Sequence, residues 1–451
     1  MIIKRGKGKM QKNNPDVLKM IVKQFFIVAV FIFLAVNAIS ADIVTFEKEY
    51  TYQSSEIDSE VSCRIIALKQ VKRLLIEEIK NYLESRGLTK DLHLTKDRIT
   101  TIIAGAVSVE IIDEKWDEKK YFIKAKISAN PDITIRIIDF IRSGEQRMKE
   151  LEAVDKKSAD FFMELEKLRK ELQAVKTDSN EPGLRDKKII AQYNETARKL
   201  GATYWFEQGY IAVITANHKE IIDAFTKTIE LDPGYTEAYR QRGTAYVMLS
   251  KFQEAVSDLD KVIEQDPQDE WAYNNRGFAF KELGRYREAI KDLTRAVELN
   301  PELQIYYNRG IAYINTGKYQ EALKDFDKAI EQNPKNEKNY YNRGIAYREL
   351  GRYQEAIKDF DKAIEMFPGY ALAYNSRGLA YGKSGKYKEA IKDFNKAIEL
   401  NPKDAEAFNN HGVANFSLGK EKEAVKDFKK AAKLGHKGAQ EYLKSRGIKW
   451  E

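Results

Sequence analysis

Five arginines recur through the C-terminal half of the chain, Arg242, Arg276, Arg309, Arg343 and Arg377, and sixteen residues after each stands an aspartate: Asp258, Asp292, Asp325, Asp359 and Asp393. A planar guanidinium can hold a carboxylate through two parallel hydrogen bonds. Where Gln208 replaces the arginine, Ala224 replaces the aspartate. Residues that depart together are expected to meet, so the series reads as a ladder of structural ion pairs rather than a ligand site. One residue before each arginine is a short or amide side chain: Gln241, Asn275, Asn308, Asn342 and Ser376, with Asn410 continuing the row. A primary amide both donates and accepts, so such a row can pair with the main chain of a bound peptide whatever its side chains. The alternative is that these amides bond within the protein.

Other chemistry is sparse. His93, His218, His411 and His436 lack metal-ligand spacing, and no HExxH, GxSxG or paired CxxC is present. The stretch GLAYGKS, Gly378–Ser384, resembles a phosphate-binding loop, but its glycines are four apart and Gly378 falls inside a helix. The DFDK pairs at Asp325 and Asp359 recur once per repeat and read as a solvated face or ion pairs rather than a metal site. Neither an enzyme nor a cofactor or metal is expected. Of the net charge of +8, +6 lies in residues 1–40, and no basic stripe interleaved with aromatics marks a nucleic-acid partner.

The elements that position these residues are announced by Pro233, Pro267, Pro301, Pro334, Pro368 and Pro402, spaced by 34, 34, 33, 34 and 34 residues. The phrase YYNRGIAY appears at Tyr306 and again at Tyr340. In the unit starting at Glu337 the pattern residues are Tyr340, Gly344, Tyr347, Gly351, Tyr353, Ala356, Phe360, Ala363 and Pro368. This pattern resembles the tetratricopeptide repeat family over residues 202–436, in about seven units. The first unit is degenerate, with Ile221 at an alanine position, and the last carries Asn415 and Glu421 at aromatic positions. The resemblance implies a mainly α fold, a solenoid of helix pairs closed by a cap helix at 437–451. It also implies that the residue before each arginine faces a concave groove, like the asparagine ladders with which such repeats hold extended peptides. Asn275, Asn308, Asn342 and Asn410, with Tyr307 and Tyr341, are thereby expected to bind a peptide or protein partner. The residue two after each arginine (Thr244, Phe278, Ile311, Ile345, Leu379), with Val413 two after His411, makes the groove wall apolar and argues against a carboxylate clamp.

Upstream lie three further regions. Residues 42–144 read as a small α+β domain: alternation in VTFEKEYTY, a helix from about Glu56 to Arg86, strands AVSVEII and YFIKAKI joined across Asp113–Lys120, and a closing helix begun by Asn130 and Pro131. This region resembles small α/β modules that precede repeat arrays in some exported bacterial proteins, which implies no activity. Residues 145–178 carry an apolar stripe, Leu151, Val154, Phe161, Leu165, Leu168, Leu172 and Val175, broken by Ser158. It is expected to be a coiled-coil helix through which the chain self-associates, docking on the N-terminal domain being the alternative. Residues 179–201 are a linker and leading helix. Residues 1–40 have the features of a signal peptide, with a basic start, the apolar run Phe25–Val36 and small residues before Ala41. A retained segment, anchoring the chain in the inner membrane, would be its one membrane contact. The lone Cys63 reads as a buried small residue, with an intermolecular disulfide as the alternative. Together these features predict an exported, non-enzymatic scaffold in the periplasm or cell envelope; the alternative is a structural subunit of an envelope assembly, such as a secretion or polysaccharide-export complex.

Overall fold

The computed structural model describes residues 44–54, 58–86, 103, 109–129, 145–178, 184–214, 218–302 and 305–450. The signal segment and the closing helix expected at 130–144 lie outside them. The chain divides after Asp266 into two units.

In the first unit, alternation in VTFEKEYTY produces strand β1 (Val44–Gln53), one face of which is more exposed than the other. It pairs antiparallel with β3 (Lys120–Ala129) over its full length, and β2 (Glu110–Trp116) lines the other edge of β3, giving the order β1-β3-β2. The β2–β3 turn is shorter than the sequence suggests. Asp117 Oδ1 accepts from the backbone N–H groups of Lys119 and Lys120, at 3.1 and 2.6 Å, so the strands continue to within three residues of each other. Helix α1 (Glu60–Ser85) packs on β1 and β3. Its start is fixed by Ser59, whose side chain accepts from the Ser62 N–H, four residues later than the pattern alone indicates.

Helix α2 (Glu145–Asp178) and helix α3 (Leu184–Ile214) pack against each other, and α3 also packs on α1. Val154, Leu165, Leu168 and Leu172 are buried in the same core as Val71, Leu75 and Ile79 of α1. Among the described residues the stripe is thus covered by the chain's own helices, which is the docking given as the alternative to a self-associating coiled coil. The linker expectation also changes. Helix α3 runs through the boundary set at 202, because Ala197, Leu200, Ala202, Phe206 and Tyr210 form one continuous buried stripe. Cys63 is fully buried in this core and burial pushes its thiol up to about 12, which leaves no access for an intermolecular disulfide. Three more helices complete the unit, α4 (His218–Leu231), α5 (Thr236–Met248) and α6 (Phe252–Gln265).

The second unit is a series of helix pairs: α7 (Glu270–Glu282) with α8 (Tyr286–Leu299), α9 (Tyr306–Asn315) with α10 (Tyr319–Gln332), α11 (Glu337–Glu349) with α12 (Tyr353–Met366), α13 (Ala371–Lys383) with α14 (Tyr387–Leu400), and α15 (Ala405–Ser417) with α16 (Glu421–Lys433). A final helix, α17 (Lys437–Ser445), packs on α16 and is capped by His436, whose Nδ1 accepts from the Ala439 N–H at 3.0 Å. The glycine after each arginine sets the closeness of a pair. A Cβ at Gly344 would lie 2.8 Å from the Phe360 ring, so a larger residue would force the two helices apart.

Candidate functional site

First helices of successive repeats, α7 with α9, α9 with α11, α11 with α13 and α13 with α15, touch one another, and second helices do not approach each other to the same extent. The first helices therefore line the inner side of the second unit, and their exposed residues are its candidate binding face.

The arginine ladder is present. Arg309 Nε and Nη2 donate to Asp325 at 2.8 and 2.7 Å, Arg343 to Asp359 at 2.8 and 2.7 Å, and Arg377 to Asp393 at 2.8 and 2.6 Å. Arg276 holds Asp292 in the same way, and in the first unit Arg242 holds Asp258. Each guanidinium also lies against aromatic rings of its own helix, Arg309 between Tyr306 and Tyr313 and Arg343 between Tyr340 and Tyr347, at 5.7 to 5.9 Å from the ring centres. The repeated phrase is thus a cation bracketed by rings three residues before and four after.

Sequence reasoning missed the arginine's second partner. Arg343 Nη1 reaches Asp327 of the preceding repeat at 2.7 Å and Arg377 Nη1 reaches Asp361 at 2.5 Å, while Arg309 uses Thr294 and Arg242 uses Thr226. The DFDK motif is the signal: its first aspartate closes a repeat and its second joins the next. Where the next repeat has His411 instead of arginine, the second aspartate becomes Asn395. The ladder also has a rung that sequence reasoning did not find, His411 Nδ1 against Asp427 Oδ2 at 2.8 Å.

The asparagine row is corrected. Asn308, Asn342 and Asn410 are only 4–8% exposed, and their amides are used within the array. Asn308 Oδ1 accepts from Lys281 at 3.0 Å, Asn342 Nδ2 donates to Tyr307 Oη at 3.3 Å and to the Lys338 carbonyl at 2.9 Å, and Asn410 Nδ2 donates to Asn375 Oδ1 at 3.2 Å. Ser376 meets Tyr341 Oη at 3.4 Å in the same manner. Asn275 is partly exposed and has partners of its own. The row sits where one first helix meets the next, so its polar groups join repeats there, the bonding within the protein that was the alternative to a peptide site. Tyr307 and Tyr341 share that role through their hydroxyls, and their rings pack on Phe326 and Phe360.

The inner face also carries an apolar row that is open only towards its C-terminal end. Phe278, Ile311, Ile345, Leu379 and Val413 occupy one position on five consecutive first helices, passing from buried at Phe278 to 50% exposed at Val413. Leu372 and Phe416, also largely exposed, widen the stripe at its C-terminal end. Apolar patches of this kind mark interaction sites.

The first unit holds a different feature. Between α1 and α2, above α3, lies an open trough of about 1140 Å³ whose bed is Lys69, Lys72, Ser158 and Glu207. Lys69 and Lys72 each donate to one oxygen of Glu207, both at 2.6 Å, and Lys69 also donates to Ser158 at 3.2 Å. All four are buried. Among the described residues no group of three or more His, Cys, Asp or Glu is placed to hold a metal ion, and no helix is long and apolar enough to cross a membrane.

Family models for the tetratricopeptide repeat match residues 270–303, 304–336, 338–370 and 371–404, a TPR repeat model matches 243–284, and a further tetratricopeptide repeat model matches 405–434. The chain is a tetratricopeptide repeat protein. Similar solved structures include YrrB, described as a TPR protein with an unusual peptide-binding site, at 24% identity over 41% of this chain and 96% of that one, with a TM-score of 0.38. A MamA protein is 31% identical over 38% of this chain and 94% of its own, with a TM-score of 0.35. A tetratricopeptide repeat protein from Parabacteroides merdae is 25% identical over 54% and 97%, with a TM-score of 0.43. No curated protein matches the sequence. Tetratricopeptide repeat proteins are generally non-enzymatic scaffolds for protein–protein interaction.

Proposed function

We propose that this tetratricopeptide repeat protein is an exported, non-enzymatic scaffold that holds an extended segment of a partner protein against the inner face of its second unit. The apolar row Phe278, Ile311, Ile345, Leu379 and Val413 carries the reading, since it emerges from the packed core into an exposed patch at Leu372, Val413 and Phe416. The segment's side chains pack on this row, and the amides and hydroxyls beneath it keep the helices in register. A random-peptide library displayed on phage and selected on the full chain should yield peptides whose binding is abolished by Leu379→Glu with Val413→Glu. Retention of binding in that variant overturns the reading. Export rests on the basic start, the apolar run Phe25–Val36 and the small residues before Ala41. N-terminal sequencing of the mature protein should begin within a few residues of Ala41; an intact N-terminus in the membrane fraction would make it an anchored protein. Fractionation tests the alternative of an envelope-assembly subunit, which would co-migrate with a large membrane complex.

A further inference from the structure

Gly382 is a helix residue that packing does not explain. The glycines one place after the arginines sit against a leucine or phenylalanine of the second helix, and those that end the first helices have positive φ. Gly382 lies inside α13 without positive φ, and a Cβ added there would meet nothing within 4 Å. Among the described helix residues it is the only glycine in open space. A glycine inside a helix lowers stability relative to alanine, so this one has a cost and no structural return.

Its surroundings point to a ligand. The equivalent residues of the other first helices in the second unit are all bulky: Lys281, Ile314, Arg348 and Phe416. Gly382 follows Leu379 by three residues, so the two share a helix face. On the next first helix Val413 and Phe416 repeat that spacing and are 50% and 43% exposed. The charge changes at the same step. On α7 Lys281 pairs with Glu282 at 2.8 Å, and on α11 Arg348 pairs with Glu349 at 2.7 Å, so each step is neutral. On α13 the pair is replaced by Gly382 and Lys383, and exposed Lys383 has no ion-pair partner among the described residues. A cation and a carboxylate have given way to open space and an exposed ammonium without an ion-pair partner among the described residues.

We infer that the open space at Gly382 serves as a notch, with Leu379 on its own helix face and Val413 and Phe416 at the equivalent positions of the next first helix, that takes one large apolar side chain of a bound peptide, with Lys383 holding an acidic residue beside it. The inference rests on the inner face being the peptide site. It specifies the partner's chemistry: a bulky apolar residue adjacent to aspartate or glutamate. An aspartate or glutamate beside Lys383 restores the neutrality of the other steps.

Random peptides displayed on phage and selected on the full chain provide the probe. Enriched peptides should share a Phe, Trp, Leu or Met next to Asp or Glu. Gly382→Ala should shift the unfolding equilibrium about two- to fivefold towards the folded state, as expected for glycine to alanine in a helix. The same variant should weaken binding of an enriched peptide about tenfold, the scale of one methyl group in a filled apolar site. Stabilisation together with weakened binding cannot come from damage to the fold. Lys383→Glu should remove the preference for an acidic neighbour. Unchanged affinity in Gly382→Ala, or enriched peptides without the acidic–apolar pair, overturns the inference. If Leu379→Glu with Val413→Glu abolishes binding while Gly382→Ala does not change it, the notch alone fails. Peptides that bind regardless of both variants, or no enrichment on the wild-type chain, remove the inner-face reading and the notch with it.

Discussion

Both units bury ionised side chains, but in opposite proportions. In the first, two lysines share one glutamate; in the second, Arg343 and Arg377 each lie between two aspartates. The shared group is stabilised in its charged form each time. Burial raises the Glu207 carboxyl, yet attraction to Lys69 and Lys72 outweighs it and holds the group below its ordinary value. The hydrogen bond to Asp359 is the largest influence on Arg343 and raises it. The outnumbering groups bear the cost of burial: Lys69 is lowered by desolvation despite Glu207, and Asp359 and Asp393 are raised by desolvation despite their arginines. Asp325 is raised as well, although Arg309 takes Thr294 in place of a second aspartate, so the shift follows burial and its direction alone does not say whether a buried pair stabilises the fold.

The largest expected effect is at the buried triad of the first unit. Glu207→Gln leaves two buried ammonium groups without the carboxylate they share and should cost the first unit roughly 3–5 kcal/mol in chemical denaturation, with Lys69→Met in the same chain recovering part of it. A loss below about 1 kcal/mol, the scale of an exposed pair, would mean that water reaches the triad. Acid should separate the units as well. Glu207 has a depressed folded-state value, so its contribution is present above the unfolded value of about 4.3 and is lost as pH falls through the folded one. Asp325, Asp359 and Asp393 have raised folded-state values, so in the window just above about 3.9 their contribution grows as pH falls. Hydrogen exchange on acidification should show amides of α1 and α3 losing protection before those of α11 and α12, and the reverse order would contradict the comparison.

A smaller effect is expected within the ladder. Arg343→Leu should cost roughly 3 kcal/mol, because Asp359 is buried, whereas the lost contact to exposed Asp327 should matter little. Asp359→Leu added to Arg343→Leu should recover much of the loss, and strictly additive losses in the cycle would mean the two are not coupled. Smallest is Asn342→Ala, which removes hydrogen bonds to Tyr307 and Lys338 and should cost about 1 kcal/mol in thermal unfolding.

The two units also differ in how much of them could be read from sequence. The rungs of the second were legible because a repeat keeps partners at constant separation, and Gln208 with Ala224 supplied the control. The triad of the first was not, since Lys69 and Lys72 lie 138 and 135 residues from Glu207 and nothing periodic joins them. The stripe on α2 was legible as an apolar face, but periodicity shows only that a helix needs a cover; here the cover is α3, which begins six residues after α2 ends. The asparagines were misplaced for a similar reason. Their positions on each helix were right, but whether such a position is open depends on how closely the next first helix approaches, and a single repeat does not carry that distance. The apolar row is legible in the sequence as a wall but not as a site, because amides announce hydrogen bonding and leucines usually announce a core.

The central claim is that polar side chains of the inner face hold the repeats together while the apolar row holds the partner. It is tested most directly by measuring unfolding and peptide affinity on two variants of the full chain, with a peptide selected on the wild type. Asn308→Ala with Asn342→Ala and Asn410→Ala should lower stability by roughly 0.5–1.5 kcal/mol per lost bond and leave affinity unchanged. Leu379→Glu with Val413→Glu should leave the fold near wild-type stability and abolish binding. An asparagine variant that keeps its stability and loses the peptide would contradict the account and return the site to the amide row.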